Sequence, residues 1–420
     1  MTCTRMALAA AGLMTAVTAC VPDHVAATPL AVAIPSPTLA VTTEQPTTLV
    51  PTATGRGAPV VETTDVQARV VTRCPPDATV DLIALGMPGN WALLQSPDRE
   101  EDLRKWQLLL QTKEQVPVGG VLDIPGTWLE FRGISPSHRQ VASYAYRDLS
   151  DTIDIWVLSP EAGTTTRVVE GLDRPRVVEW LGDGTLAILD NSGGQWPSTW
   201  MLVDVTTAGQ RRLPEVQLEL AHAFSPDGTR LIYLAPVKGG WQVRLRDFDA
   251  DTDDRVLPWL EPEVIQSPSS IRIQWTDAGV TLSVIDSLRL TVTVALSPDS
   301  LLSKAAPTGI IEFPRGAMRS ISSWFSPDGR WIAIWRGYGE YLGSPDTTWE
   351  FLILDTHGWS LYDYCLPSEW LAPGAIAGSP DGQFLTLARE GIGSVVLDLA
   401  TGKRAYLEGQ FVSGWLVTSP

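Results

Sequence analysis

The chain has 420 residues, enough for a large core, with 44% hydrophobic and only 19% charged residues. Its 48 acidic against 31 basic side chains leave a net charge of −17, which repels polyanions and sets nucleic acid aside as a partner. The 17 tryptophans are assigned to packing first and to a binding surface second.

The chain opens with MTCTRMALAAAGLMTAVTAC: one cation at Arg5, an apolar run from Met6 to Val17, then small residues before Cys20. Such a run is too short to span a bilayer stably and has the layout of a secretory signal with a small-residue cleavage site. Val17-Thr18-Ala19-Cys20 resembles a bacterial lipoprotein lipobox, with Val where Leu is usual and Thr where Ser or Ala is usual. The resemblance implies that residues 1–19 are a signal peptide and that the Cys20 thiol carries a diacylglyceryl anchor. The chain would then be held outside the cytoplasm, on the cell membrane or cell surface. An ordinary secretory signal cleaved near Cys20 is the alternative. No later apolar run reaches the roughly 18 residues of a spanning helix.

Residues 20–73 read as a tether. Thr and Pro fill about a third of it, aromatics are few, and no apolar period appears. A segment of this kind cannot offset its ordering entropy by burial, so a disordered linker is expected. The folded body is therefore placed at 74–420.

Within the body, FSPDGTRLIYLA (224–235) recurs as FSPDGRWIAIWR (325–336) and GSPDGQFLTLAR (378–389). The three turn signatures are Ser225-Pro226-Asp227-Gly228, Ser326-Pro327-Asp328-Gly329 and Ser379-Pro380-Asp381-Gly382. Pro presets φ at the second place, Ser can bond the backbone beyond the turn, and Gly supplies a left-handed residue that closes a hairpin. Looser copies follow the same plan: RGISPSHRQVASYAYR (132–147), EWLGDGTLAILD (179–190) and IQWTDAGVTLSVID (273–286). Turns then begin near 135, 181, 225, 276, 326 and 379. A third strand follows each, such as TWMLVDV or FLILDTHG, and a short fourth such as QRRLPE or KRAYLEG. Four strands per repeat of this length is the unit of a β-propeller blade.

The body ends on EGQFVSGWLVTSP, which reads as a first strand alone, while 90–121 reads as second, third and fourth strands without a first. One composite blade built from both ends would close the ring and remove its open seam. The expected fold is all-β: a propeller of four-stranded blades, seven of them, with six or eight as alternatives. SPDG followed by an apolar strand resembles the WD40-like repeat of the TolB propeller and of propellers attached to prolyl-oligopeptidase-type enzymes. That resemblance implies a propeller, often periplasmic or at the surface, and no single activity.

Catalytic signatures are sparse. No GxSxG is present. The four histidines, His24, His138, His222 and His357, show no metal-binding spacing. Asp247, Asp249, Asp251 and Asp253 alternate as in calcium loops, but Thr252 and Pro258 stand where Gly and an acidic residue belong. A solvated turn is the preferred reading there, calcium the alternative, and no cofactor is expected. Cys74 and Cys365 can pair in an oxidising compartment, although Cys365 falls on the outer edge of the fifth blade and Cys74 precedes the composite one. The function expected is a monomeric, non-catalytic binding or scaffold module for a protein or envelope component. Its rivals are a glycan-binding protein or carbohydrate-active enzyme using the channel, with Trp196, Trp200, Trp241 and Trp349 as sugar platforms, and a solute sensor.

Overall fold

The computed structural model describes residues 66–67, 69–97, 103, 106–110, 114–117, 128–146, 152–173, 175, 177–190, 199–213, 221–250, 254–257, 271–285, 289–295, 298, 308–312, 318–326, 328–338 and 348–418. Two short strands come first, β1 (Val66–Gln67) and β2 (Arg69–Thr72), followed by β3 (Trp91–Pro97), β4 (Gln107–Leu110) and β5 (Gln115–Pro117). The first blade is β6 (Trp128–Ile134), β7 (Val141–Tyr146), β8 (Thr152–Ser159) and β9 (Thr164–Asp173). The second is β10 (Val177–Leu181), β11 (Thr185–Asp190), β12 (Thr199–Asp204) and β13 (Gln210–Arg212). The third is β14 (His222–Phe224), β15 (Arg230–Val237), β16 (Gly240–Asp247) and β17 (Arg255–Val256). The fourth is β18 (Ile271–Thr276), β19 (Gly279–Ile285), β20 (Arg289–Ala295) and β21 (Thr308–Glu312). The fifth is β22 (Met318–Phe325), β23 (Trp331–Tyr338), β24 (Thr348–Asp355) and β25 (Ser360–Asp363). The sixth is β26 (Ala375–Gly378), β27 (Phe384–Arg389), β28 (Gly393–Asp398) and β29 (Arg404–Glu408), and β30 (Gln410–Val417) follows.

Each blade is an antiparallel meander, and β30 pairs with β3 in the order β30-β3-β4-β5, from Trp91↔Val417 to Pro97↔Gln410. The composite blade is therefore built as the two chain ends suggest, and the propeller has seven blades.

The core is divided rather than central. Among the described residues the buried apolar side chains form seven clusters, each lying between two neighbouring blades. Strand alternation explains this. Trp91 and Leu93 of β3 join the cluster shared with the sixth blade, while Ala92 and Leu94 join the cluster shared with the first. In β15, Ile232 and Leu234 face the fourth blade, and Leu231 and Tyr233 face the second. A second strand is covered on both faces, so it reads as an unbroken apolar run instead of an alternating one.

Residues 66–72, counted above with the tether, belong to the body. β1 adds in parallel to the outer edge of the fourth blade, with Val66↔Gly309. β2 does the same on the fifth, from Arg69↔Ser360 to Thr72↔Asp363. Thr79 then bridges Arg404 on the sixth. The physical reason is edge pairing: a blade's outer strand presents a row of backbone donors and acceptors, and the β-branched stretch RVVT can satisfy them without a core of its own. This belt is pinned by a Cys74–Cys365 disulfide with a Cα–Cα separation of 5.8 Å. The Arg73 guanidinium lies 3.6 Å above the Tyr362 ring and donates to the Leu399 carbonyl. Arg404 donates to the carbonyls of Tyr364 (2.9 Å) and Cys365 (3.1 Å). Beyond the belt, Leu82, Leu85 and Met87 are buried between the sixth and composite blades.

Candidate functional site

The turns between first and second strands gather on one face with the turns between third and fourth. The SPDG chemistry is visible in the third blade. Ser225 Oγ donates to Asp227 Oδ1 (2.5 Å) and accepts the Arg230 N–H (2.9 Å), and Asp227 Oδ1 also accepts the Thr229 N–H (3.0 Å). Gly228, at φ +69°, donates its N–H to the Ser225 carbonyl (2.8 Å). Burial opposes ionisation of Asp227, yet the bonds from Ser225 and Thr229 hold its carboxyl below the ordinary value. Ser379 and Asp381 repeat the pattern, with Ser379 Oγ to Asp381 Oδ1 at 2.7 Å and Phe384 N–H to Ser379 Oγ at 2.9 Å. So do Ser326 and Asp328, with the Trp331 N–H 2.8 Å from Ser326 Oγ; Pro327 lies outside the described residues. These residues build turns: the serines are buried, and the exposed aspartates spend Oδ1 on bonds within the turn.

The turns also bond to one another. Gln274 Nε2 donates to the Ser326 carbonyl (2.6 Å), linking the fourth and fifth blades. The Asp328 carboxylate lies under Gly382 of the sixth blade, so close that a β-carbon there would sit 2.8 Å from Oδ2.

The first blade departs from the rule. In Ser135-Pro136-Ser137-His138, histidine takes the left-handed place of glycine at φ +59°, a conformation a side chain adopts at some cost. His138 is buried, its Nδ1–H donates to the Trp415 carbonyl (2.8 Å), and its own carbonyl accepts the Val417 N–H (2.7 Å). The turn is thus clamped to β30, the strand that closes the ring. Burial lowers the His138 pKa, with the Trp415 carbonyl and the nearby Asp183 charge working the other way.

Ser137 stands where the other turns have Asp, so the acceptor is imported: the Ser137 N–H donates to Asp183 Oδ1 of the second blade (2.7 Å). Around this junction an open cleft of about 580 Å³ is lined by Ser137, Arg139, Gln140, Ser159, Glu161 and Asp183, with Ala162. Arg139 is 61% exposed and 3.9 Å from Glu161. Gln140 Nε2 faces Ser159 Oγ at 3.5 Å, while its Oε1 is buried with no hydrogen-bond partner among the described residues. The lining comes from three turns separated in sequence. Its one trace in the chain is the departure of SPSH from SPDG.

On the inner strands, His222 Nε2 lies 3.1 Å from Glu179 Oε2, joining the third and second blades, with the His222 ring 4.9 Å from that of Trp200. Trp200 is fully buried, which corrects its assignment as a sugar platform: it packs against Phe224 in the interblade core. Trp241 and Trp349 are partly buried against other clusters. Cys20, Trp196, Asp251 and Asp253 lie outside the described residues. Asp247 Oδ1 caps the N–H groups of Asp249 (3.0 Å) and Ala250 (3.2 Å), and Asp249 pairs with Arg211 (3.4 Å). Among the described residues no group of three His, Cys, Asp or Glu side chains could hold a metal ion, and no helix is long and apolar enough to cross a membrane.

No family model matches the chain, and no curated protein matches it. Among solved structures it is similar to an oligogalacturonate lyase in complex with manganese, at 12% identity and a TM-score of 0.48 over 76% of this chain and 85% of that one. It is similar to TolB from Acinetobacter baumannii at 12% identity and a TM-score of 0.41, over 84% of this chain and 98% of that one. A third is the oligogalacturonate lyase of Vibrio parahaemolyticus, at 11% identity and a TM-score of 0.44 over 76% and 86% of the two chains. Nothing about the activity of this chain follows from such distant likenesses.

Proposed function

We propose that the propeller is a non-catalytic binding module, carried on a lipid-anchored tether and presenting its turn face to a protein or polymer of the cell envelope. The observation that carries this reading is the open polar cleft, set in a platform of mutually bonded turns. Such a platform presents fixed groups with little ordering cost, which favours recognition. The lipobox-like Val17–Cys20 and the Thr/Pro-rich segment behind it support the anchored placement. The test is a pull-down from envelope extract with the full chain and with the double variant Glu161→Gln/Asp183→Asn. A partner retained by the first and lost by the second supports the reading. A partner retained equally by both moves the site elsewhere, and no retained macromolecule overturns it. Metabolic lipid labelling checks the anchor: label on the parent chain and none on Cys20→Ser is the expected result.

A second reading, a glycan-binding or carbohydrate-active channel, draws on the His222–Glu179 pair of the inner strands, where Glu179 is 38% exposed. Binding or cleavage of an acidic or neutral oligosaccharide that disappears in Glu179→Gln would favour it.

A further inference from the structure

We propose that the Cys74–Cys365 disulfide is a redox lock on the belt: a dithiol opens it, and residues 66–73 then peel from the fourth and fifth blades. The lock works on the rim, whatever the turn face binds.

The bridge sits at a boundary in the way the chain is held. On its C-terminal side the hold is firm. The Arg404 N–H donates to the Ala78 carbonyl (2.7 Å), and the Arg404 carbonyl accepts the Val80 N–H (2.9 Å). Leu82, Leu85 and Met87 are buried behind them. On the N-terminal side the hold is slight. β1 and β2 make two and four parallel pairs on blade edges, and Val70 is 57% exposed. Arg73 adds the bond from its N–H to the Asp363 carbonyl (2.7 Å), its side-chain bond to Leu399 and its stack on Tyr362. A short edge strand with so little burial opens locally at low cost once its covalent pin is gone.

Both cysteines are exposed, so a reductant can reach the bridge, and exposed bridges are the labile, regulatory kind. Cys365 is held at φ +48°, a left-handed backbone that costs a residue with a β-carbon. Conformations of that kind cluster at switch regions. The exchange needs a dithiol as co-reactant. Its first thiolate attacks one bridge sulfur, forms a mixed disulfide and expels the other sulfur as a thiolate, which takes up a proton. Its second thiolate then expels the remaining cysteine, which is protonated in turn. Two electrons pass to the bridge, leaving two thiols on the chain and a disulfide on the reductant. A disulfide oxidant runs the steps backward.

The output is a change of attachment. With the lock closed, the chain that precedes the belt leaves the body at Val66, on the fourth blade. With it open, the first firm hold is the Ala78–Arg404 contact on the sixth. The eight residues from 66 to 73, about 26–29 Å when extended, then join the segment before them. A body tethered through its N-terminal side gains that reach under reducing conditions and loses it on reoxidation.

The experiment treats the full chain, in detergent and without denaturant, with the dithiol protein thioredoxin in its reduced form. Alkylation and peptide mapping report the thiols, and hydrogen exchange reports the strands. Cys74 and Cys365 are expected to alkylate, and β2 to exchange about 10–100-fold faster than in the closed chain. β27, β28 and residues 82–87 should stay within about twofold, and oxidised glutathione should restore the starting rates. Cys74→Ser/Cys365→Ser should exchange like the reduced chain and ignore thioredoxin. A bridge that stays closed until urea is added overturns the lock. So does an open bridge with β2 still protected, or one whose opening strips protection from β27 and β28 as well.

Discussion

The rim of the propeller has two kinds of blade. The fourth, fifth and sixth carry the belt, residues 66–79, on their outer strands. The first, second and third end in β9, β13 and β17 with no added strand among the described residues. The bare strands manage their edges in other ways. β13 and β17 are only three and two residues long, and β9 is irregular in register and exposes charged Arg167 and Glu170, the usual protections of an edge against foreign pairing. One half of the ring is thus held by covalent and long-range ties, and the other by blade-to-blade packing and the His138 clamp.

The largest effect should come from unpinning the belt. Cys74→Ser/Cys365→Ser opens a loop of 291 residues, and loss of a native disulfide typically costs about 2–5 kcal/mol. Calorimetry should show a lower Tm, and hydrogen exchange should speed up in β2, β25 and β29 while β9 and β13 keep their protection. Uniform loss around the ring would erase the distinction between the halves. Next comes a matched pair of glycines in the turns between third and fourth strands. At Gly402, φ is +76° and a β-carbon would meet the Arg73 carbonyl at 2.7 Å, so Gly402→Ala should cost about 2–4 kcal/mol. Gly163, at φ +61°, faces open space, and Gly163→Ala should cost only about 1 kcal/mol. Equal costs in denaturant melts would mean that the belt adds nothing at Gly402.

On the unbelted side, His138→Ala removes the bond to Trp415 while keeping a side chain at positive φ, and should cost about 1–3 kcal/mol. Because burial lowers the His138 pKa, the unfolded chain binds more protons between the folded and unfolded values. The neutral-histidine contribution is therefore complete above the unfolded pKa of about 6.5 and declines as pH falls below it. Urea midpoints at pH 8 and pH 5 should differ more for the parent than for His138→Ala. The smallest effects belong to the repeat itself. Ser225→Ala and Ser379→Ala each remove one local hydroxyl network and should cost about 1 kcal/mol in both halves alike, measurable as equal shifts in midpoint.

The blades were legible because their signals are local: Ser, Pro, Asp and Gly at fixed offsets state a turn, and an apolar run after it states a strand covered on both faces. The composite blade was legible because the leftover strands at the two ends add up to one. The belt was not. RVVT sits in a stretch whose composition reads as linker, and its partners Ser360–Asp363 lie far along the chain, so no periodicity joins them. His138 was assigned to a turn, but its left-handed backbone and its bond to Trp415 depend on the closing strand. The cleft was hidden for the same reason: Gln140, Glu161 and Asp183 meet through blade packing alone.

The pairing of β3 with β30 also carries a consequence for the time course of folding. Trp91 meets Val417 only after the blades between them exist, and closing so long a loop is entropically slow. Until then the sixth blade exposes Phe384, Val396 and Ala405 on one side of the seam, and β3 exposes Trp91 and Leu93 on the other, faces that meet only in the finished ring. Such an intermediate has two apolar ends and a natural tendency to stack on its own kind. The ring must close quickly relative to encounter, so refolding yield should fall as chain concentration rises.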